Sequence, residues 1–195
     1  PRRQELCVIN LQYFNGTSKN DLRKAFIECA AVETFFLWNK YKEDKKNEKI
    51  TYGTGQKTPD EEAEIQLKSG IIPDDFKRQM FYTFGDFRDF LFGTDISKNL
   101  GNGSALENQI NSVFPPNSGA KHPNGKTRQE WWNENGPYIW KGMLCALSYN
   151  AKEKKLKVHV RNTLTKQYGY SNVKFSDKTN TTLSTFSQTP QFLRW

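Results

Sequence analysis

The segment Pro73-Asp-Asp-Phe-Lys-Arg-Gln-Met-Phe-Tyr-Thr-Phe-Gly-Asp-Phe-Arg-Asp-Phe-Leu-Phe-Gly93 predicts one amphipathic helix. Its large apolar residues recur at steps of three and four, which places them on one helical face. They are Phe76, Met80, Phe84, Phe87 and Leu91. Pro73 suits the first turn, where its missing N–H is not needed, and Gly93 offers a C-terminal stop. Gly85, inside the pattern, predicts a close contact with another helix.

A second amphipathic helix is predicted upstream, from about Asn20 to Tyr41. Its apolar residues repeat at the same helical spacing. They are Leu22, Phe26, Cys29, Val32 and Phe36. The charged run from Lys40 to Lys49 has no periodicity, and Thr51 to Pro59 contains two glycines and a proline, so a long exposed loop is predicted to follow. A short helix is then predicted over Asp60 to Lys68.

Two capping boxes predict helix starts further along the chain. Ser104 with Glu107, and Thr127 with Glu130, each place a hydroxyl and a carboxylate three residues apart. Such a pair satisfies two backbone amides that have no partner at a helix N-terminus. The first of these helices is expected to end before Pro115, because proline cannot continue a helix.

The helix that starts after the second capping box is expected to end at Gly136-Pro137, and another helix to run from about Pro137 to Leu147. Helical spacing favours Trp132 and Trp140 as core residues rather than as an exposed adhesive cluster. One of the adjacent pair Trp131 and Trp132 is expected to be partly exposed.

The pattern changes beyond Tyr149. Leu156, Val158 and Val160 alternate with charged or polar residues, which predicts a short strand. The polar segment from Asn162 to Thr189 predicts a long loop, and Pro190 to Trp195 the start of a helix. Residues 1–195 are therefore predicted to form a single all-α domain with long polar loops and at most a short β-hairpin.

The positive charge lies in the second half of the chain. Residues 1–98 carry 16 basic and 16 acidic side chains, whereas residues 99–195 carry 13 and 5, which accounts for the net charge of +8. The strongest polyanion candidate is the basic run of Lys152, Lys154, Lys155, Lys157 and Arg161. A sulfated glycan is the predicted ligand class for this run, and a solvated face beside a hairpin is the alternative. No nucleic-acid-reading motif is present, so nucleic acid is not an expected partner.

Catalysis, metal binding and cofactor binding are not expected from the sequence. Residues 53–58 lack the glycine spacing and the preceding apolar strand of a phosphate loop, and neither His122 nor His159 lies in a metal-binding frame. Three cysteines are too few and too widely spaced for a zinc cluster. One long-range disulfide is expected, with Cys7 and Cys145 as candidates and the pairing left open.

Several longer motifs occur in a fixed order along nearly the whole chain. They are Pro1-Arg-Arg-Gln-Glu-Leu-Cys7, Phe81-Tyr-Thr-Phe-Gly-Asp-Phe-Arg88, Gly93-Thr-Asp-Ile96, Arg128-Gln-Glu-Trp-Trp132, Gly136-Pro-Tyr-Ile-Trp-Lys-Gly-Met-Leu-Cys-Ala-Leu147 and Pro190-Gln-Phe-Leu-Arg-Trp195. Together they resemble a Duffy-binding-like domain of the malaria-parasite erythrocyte membrane protein 1 family, most closely its beta class. The family domain continues beyond these motifs, so the chain is expected to be its N-terminal and central part.

The resemblance implies a helical adhesion domain on the surface of the infected erythrocyte, as an extracellular part of a membrane-anchored protein. The implied role is attachment of infected cells to host endothelium, with intercellular adhesion molecule 1 as the implied receptor and a heparan sulfate-like glycan as the alternative ligand. Loops carry variable function on a fixed scaffold. The expected receptor contact is therefore the loop 162–189, with Tyr168, Tyr170 and Phe175 as its anchors.

Overall fold

The computed structural model describes residues 6–12, 19–48, 57–96, 105–114, 127–176 and 179–194. In these ranges the helices are α1 Ile9–Gln12, α2 Lys19–Lys46, α3 Pro59–Lys68, α4 Asp74–Phe92, α5 Ala105–Val113, α6 Arg128–Leu147, α7 Val158–Gln167, α8 Leu183–Gln188 and α9 Gln191–Arg194. The strands are β1 Tyr149–Asn150, β2 Lys155–Leu156, β3 Lys174–Ser176 and β4 Thr179–Thr182. β1 pairs antiparallel with β2, and β3 pairs antiparallel with β4. The predicted all-α class is confirmed, with two short hairpins in place of at most one.

The prediction for α4 is confirmed at both ends. Pro73 immediately precedes the helix, and Gly93 ends it at φ +69°, a left-handed conformation that glycine adopts without a steric penalty. Gly85 makes the close approach expected of it, because a Cβ atom there would lie 2.9 Å from the guanidinium carbon of Arg194 in α9. The two helices pack tightly at this glycine.

α2 is confirmed but is longer than predicted. The sequence predicted a loop from Lys40, but the helix continues to Lys46. Ion pairs between residues one turn apart stabilise these charged turns, for example Lys40 with Asp44 at 2.9 Å. Residues 49–56 lie outside the described ranges. The predicted apolar face was wrong at Phe36, which is 60% exposed, whereas Trp38 and Tyr41 are buried.

α6 runs without interruption through Pro137, so the predicted break there was wrong. Proline costs the helix one hydrogen bond, but tryptophans on both sides of it are buried and hold both halves of the helix against the core. Trp131, Trp132 and Trp140 are all 2% exposed or less, so neither of the adjacent pair is partly exposed. The capping box at Thr127 is confirmed, with the Thr127 N–H donating to Glu130 Oε2 at 2.7 Å. α5 begins as predicted, although Ser104 itself lies outside the described residues.

The core lies between α2, α4 and α6 and is rich in aromatic rings. Phe26 of α2 is at its centre: its ring centroid lies 6.3 Å from that of Phe87, 5.8 Å from that of Phe90 and 5.4 Å from that of Trp131. All four side chains are buried. This packing joins the three long helices into one unit.

A buried ionic cluster attaches α9 to α4. The side chain of Arg194 is fully buried, and its Nη2 atom contacts Asp86 at 3.1 Å and also pairs with Asp89. Gln191 donates to Asp86 at 3.1 Å and to Asp95 at 3.2 Å. Burial raises the pKa of Asp89, an effect that Arg194 opposes. The predicted C-terminal helix is thus confirmed, and its role is to neutralise buried carboxylates.

The segment after β2 is more ordered than the sequence predicts. The expected strand through Val160 was wrong, because α7 begins at Val158 and buries Val160 and Leu164 at helical spacing. The expected long loop over 162–189 was also wrong, since most of it forms α7, β3, β4 and α8. The predicted contact residues therefore lie on a folded framework.

Candidate functional site

Tyr168, the first predicted anchor, is half-buried at the end of α7. Its hydroxyl accepts a hydrogen bond from the backbone N–H of Ile72 at 3.2 Å, and its carbonyl accepts one from the indole N–H of Trp140 at 2.7 Å. Both partners belong to other elements of the fold. Tyr168 therefore holds the end of α7 against α6 and against the turn before α4.

Tyr170 and Phe175 are also half-buried and pack on the core. The Tyr170 ring meets Phe84 edge-on at 5.9 Å, and burial raises the pKa of its hydroxyl. Phe175 stacks on Phe186 at 4.7 Å and meets Phe81 edge-on at 5.6 Å. These contacts give all three anchors a structural role, and their direct contact with a receptor stays a prediction.

The structure brings most of the basic run together on one hairpin. Lys152, Lys154 and Lys155 are exposed at and beside the turn between β1 and β2, where Lys154 adopts φ +50°. Lys157 and Arg161 are half-buried one turn apart, at the N-terminal end of α7. Within the described residues, none of these five side chains forms an ion pair. Their charge is therefore not neutralised by an ion pair within the described residues.

The segment of chain that contains this hairpin carries mostly positive charge. Residues 141–176 contain eight basic side chains and the single acidic side chain of Glu153. The basic ones are Lys141, Lys152, Lys154, Lys155, Lys157, Arg161, Lys166 and Lys174. The excess of seven charges equals nearly all of the chain's net charge of +8. A polyanion or an acidic protein surface would be attracted to the exposed basic side chains of this segment.

A cleft of about 780 Å³ separates the hairpin from α2 and α3. Lys152 and Lys157 line one wall, and the acidic residues of α3 line the other. Glu64 lies 3.4 Å from Lys42, and Glu61 accepts from the backbone N–H of Thr58 at 3.1 Å, whereas the buried Oδ1 of Asp60 has no hydrogen-bond partner within the described residues. The cleft therefore has a basic wall on the hairpin and an acidic wall on α3.

The sequence reasoning missed an exposed apolar strip beside this cleft. Phe36 is 60% exposed, and Tyr149 and Leu156 are each 41% exposed. The half-buried ring of Phe35 connects them, 5.7 Å from Phe36 and 6.0 Å from Tyr149, and Tyr149 pairs with Leu156 across the hairpin. The "apolar strip" hereafter means Phe35, Phe36, Tyr149 and Leu156. Contiguous exposed apolar surface of this kind typically marks an interaction site.

The three cysteines do not form the expected bridge. Cys7, Cys29 and Cys145 are all free thiols, so the pairing of Cys7 with Cys145 is not formed. Cys29 is completely buried in α2. Burial raises the pKa of Cys29 to about 11.

We expect Cys29 to react with iodoacetamide at pH 8 at least ~10-fold more slowly than Cys7 and Cys145, because a buried thiol with a raised pKa is almost never a thiolate. Mass spectrometry of labelled peptides over time measures the three rates. The same reaction in guanidinium chloride is the control, where all three rates should converge. Equal labelling rates in the folded chain would contradict the placement of Cys29 in the core.

The described part of the chain offers no group of three or more His, Cys, Asp or Glu side chains arranged to bind a metal ion. His122 lies outside the described residues, and His159 is exposed on α7. None of the described helices combines the length and the apolar character needed to cross a bilayer.

Comparison with known proteins gives consistent matches to one family. The family model described as the Duffy binding domain matches residues 1–194. The Duffy receptor alpha form of Plasmodium knowlesi is 31% identical over 80 residues, which is 41% of this chain and 7% of that protein. The Duffy receptor of Plasmodium vivax (strain Salvador I) is 34% identical over 88 residues, 45% of this chain and 8% of that protein. The matches thus span less than a tenth of either relative. No solved structure matches the chain significantly.

Proposed function

Because the chain belongs to the Duffy binding domain family, we propose that it is an adhesion module that binds a receptor on host cells. Duffy binding domains are host-receptor-binding adhesion modules and are not an enzyme family. The observation that carries the proposal is the match of one family model to residues 1–194, together with the helical fold. The two relatives named as Duffy receptors support the same role.

More specifically, the chain would be a beta-class domain of the erythrocyte membrane protein 1 family that binds intercellular adhesion molecule 1. The parent protein would be anchored in the membrane of the infected erythrocyte and would attach that cell to host endothelium. The ordered motifs from Phe81-Tyr-Thr-Phe to Phe192-Leu-Arg-Trp support this assignment.

The second candidate ligand is a sulfated glycan such as heparan sulfate. It is supported by the five basic side chains of the run 152–161, which have no ionic partner within the described ranges. Sulfate groups could pair with these basic side chains in the way that carboxylates do in an ion pair. Such binding would depend strongly on salt, because exposed charges are screened within about 8 Å at physiological ionic strength.

The test is binding of the intact chain to immobilised intercellular adhesion molecule 1 and, separately, to heparan sulfate, each across a salt series. We expect saturable binding to the protein receptor that changes less than ~10-fold between low and physiological salt, because burial of apolar surface is not screened. Surface plasmon resonance measures both affinities on the same preparation.

The outcomes separate the two ligands. Binding to heparan sulfate alone, with affinity that falls steeply with salt, would replace the protein receptor by the glycan. Failure to bind either ligand would contradict both receptor assignments. The triple substitution of Lys24, Lys46 and Arg78 to glutamine serves as a charge-matched control for the same change at Lys152, Lys154 and Lys155, because all six side chains are exposed.

A further inference from the structure

We propose that the apolar strip and the hairpin lysines form one docking surface for an acidic segment of a host protein, which places an aromatic or aliphatic side chain on the strip. The "hairpin surface" hereafter means the apolar strip together with Lys152, Lys154 and Lys155. This inference rests on the proposed adhesion function and names the kind of partner that the function requires.

The apolar strip supplies the contact area. Large side chains that are exposed singly are normal on protein surfaces, but here the ring of Phe35 links Phe36 to Tyr149, and Tyr149 pairs with Leu156. Aromatic residues dominate the binding energy of protein interfaces because they bury a large, rigid surface. The strip contains three such rings, those of Phe35, Phe36 and Tyr149.

The neighbouring lysines determine the charge of the partner. Lys152, Lys154 and Lys155 are exposed, and Glu153 is the one carboxylate within the hairpin. Because none of the three lysines is paired within the described residues, a partner carboxylate need not displace an existing ion pair. Complementary charge of this kind speeds association and fixes the orientation of the partner.

The combination favours a protein segment over a glycan. Sulfate groups would satisfy the lysines but would leave Phe36, Tyr149 and Leu156 in water. A peptide that carries carboxylates next to an apolar side chain complements both parts of the hairpin surface. The adjoining cleft of about 780 Å³ is lined by Phe35 and Tyr149 and could receive such a side chain.

The hairpin surface is held in place before any partner binds. Tyr149 and Asn150 pair with Leu156 and Lys155, and the backbone N–H of Lys157 donates to the carbonyl of Ser148 at 2.8 Å. Phe35 contacts Tyr149 edge-on, which ties the hairpin to α2. A preformed surface loses little conformational entropy on binding.

The experiment is selection of binders from a random peptide library on the intact chain, followed by affinity measurement with the fluorescently labelled selected peptides. We expect selected peptides to carry Asp or Glu beside an aromatic or aliphatic residue. Affinity should fall at least ~10-fold in the double variant Phe36→Ser/Leu156→Ser and in the variant Lys152→Gln/Lys154→Gln/Lys155→Gln.

Matched controls change the same chemistry elsewhere. Ile71→Ser removes an apolar side chain of similar exposure, 48%, from the turn between α3 and α4, and Lys24→Gln/Lys46→Gln/Arg78→Gln removes three exposed charges. Both controls should change affinity by less than ~2-fold. Circular dichroism of each variant verifies that its helical fold is retained.

Two results would overturn the inference. One is selection of peptides without carboxylates, or of peptides whose affinity is the same for all variants. The other is a heparin oligosaccharide that binds through the lysines while no peptide depends on Phe36 and Leu156.

If intercellular adhesion molecule 1 binds every variant equally, the adhesion function stands and this inference fails. If peptides depend on the hairpin surface but that receptor does not bind, the receptor assignment fails and the inference stands.

Discussion

Replacement of Arg194 with methionine is expected to lower the free energy of unfolding by about 3–5 kcal/mol, the usual cost of removing one partner from a buried ion pair. Arg194 is fully buried, and its guanidinium pairs with Asp86 and Asp89. Without it, two carboxylates that are at most 6% exposed lose the guanidinium group that pairs with both of them. Urea denaturation followed by circular dichroism measures the loss.

Two further variants distinguish uncompensated carboxylate charge from loss of packing as the cause of this destabilisation. The variant Arg194→Met/Asp86→Asn/Asp89→Asn removes the carboxylate charges as well, and it should regain most of the stability that Arg194→Met loses. Lys166→Met on the exposed side of α7 is a control and should stay within about 0.5 kcal/mol of the parent chain. If the triple variant were no more stable than Arg194→Met, uncompensated charge would not be the cause.

The pH dependence gives an independent signature. Arg194 opposes the rise that burial causes in the pKa of Asp89, so Arg194→Met should raise that pKa further. A carboxyl group with a raised pKa binds protons more tightly in the folded chain than in the unfolded chain, so its contribution to stability increases as the pH falls through the folded pKa. The difference in free energy of unfolding between Arg194→Met and the parent chain should therefore be smaller at pH 4 than at pH 7. A deficit that widens on acidification would contradict this explanation.

Replacement of Phe26 with alanine should cost about 3–5 kcal/mol, the range for a fully buried phenylalanine. Phe26 is 0% exposed and contacts the rings of Phe87, Phe90 and Trp131, so its loss leaves a cavity where α2, α4 and α6 meet. Denaturation monitored by tryptophan fluorescence measures the change.

Phe36 provides the matched control for this prediction, because it is the same residue type in the same helix. It is 60% exposed, so Phe36→Ala should change the free energy of unfolding by less than about 0.5 kcal/mol. Equal losses at the two positions would contradict the described orientation of α2. Two phenylalanines ten residues apart in one helix thus differ as a core residue and a surface residue.

Local sequence patterns predicted most of the helices correctly. Spacing of apolar residues, Pro73 and Gly93 defined α4, and the capping box at Thr127 defined the start of α6. These signals depend on neighbours within one or two turns, and such neighbours interact in the same way in any helical context. The same reasoning found α3 and the start of α9.

Local patterns failed where distant packing outweighs them. Pro137 costs a helix about 3 kcal/mol, but the burial of Trp132 and Trp140 on either side of it exceeds that cost. The alternation from Leu156 to Val160 is too short to distinguish a strand from the start of a helix. Burial of Val160 together with Leu164, four residues later, favours the helix.

The sequence by itself therefore determined the all-helical class, the positions of the longest helices and the membership of the Duffy binding domain family. The tertiary structure alone decided what surrounds each side chain. Arg194 meets Asp86 and Asp89 from more than a hundred residues away, and no local spacing encodes that contact. Phe36 and Trp38 are both apolar residues of α2, and only the placement of neighbouring elements buries one and leaves the other exposed. The core could be predicted in part because helical periodicity is local, whereas the hairpin surface could not, because exposure depends on the whole fold.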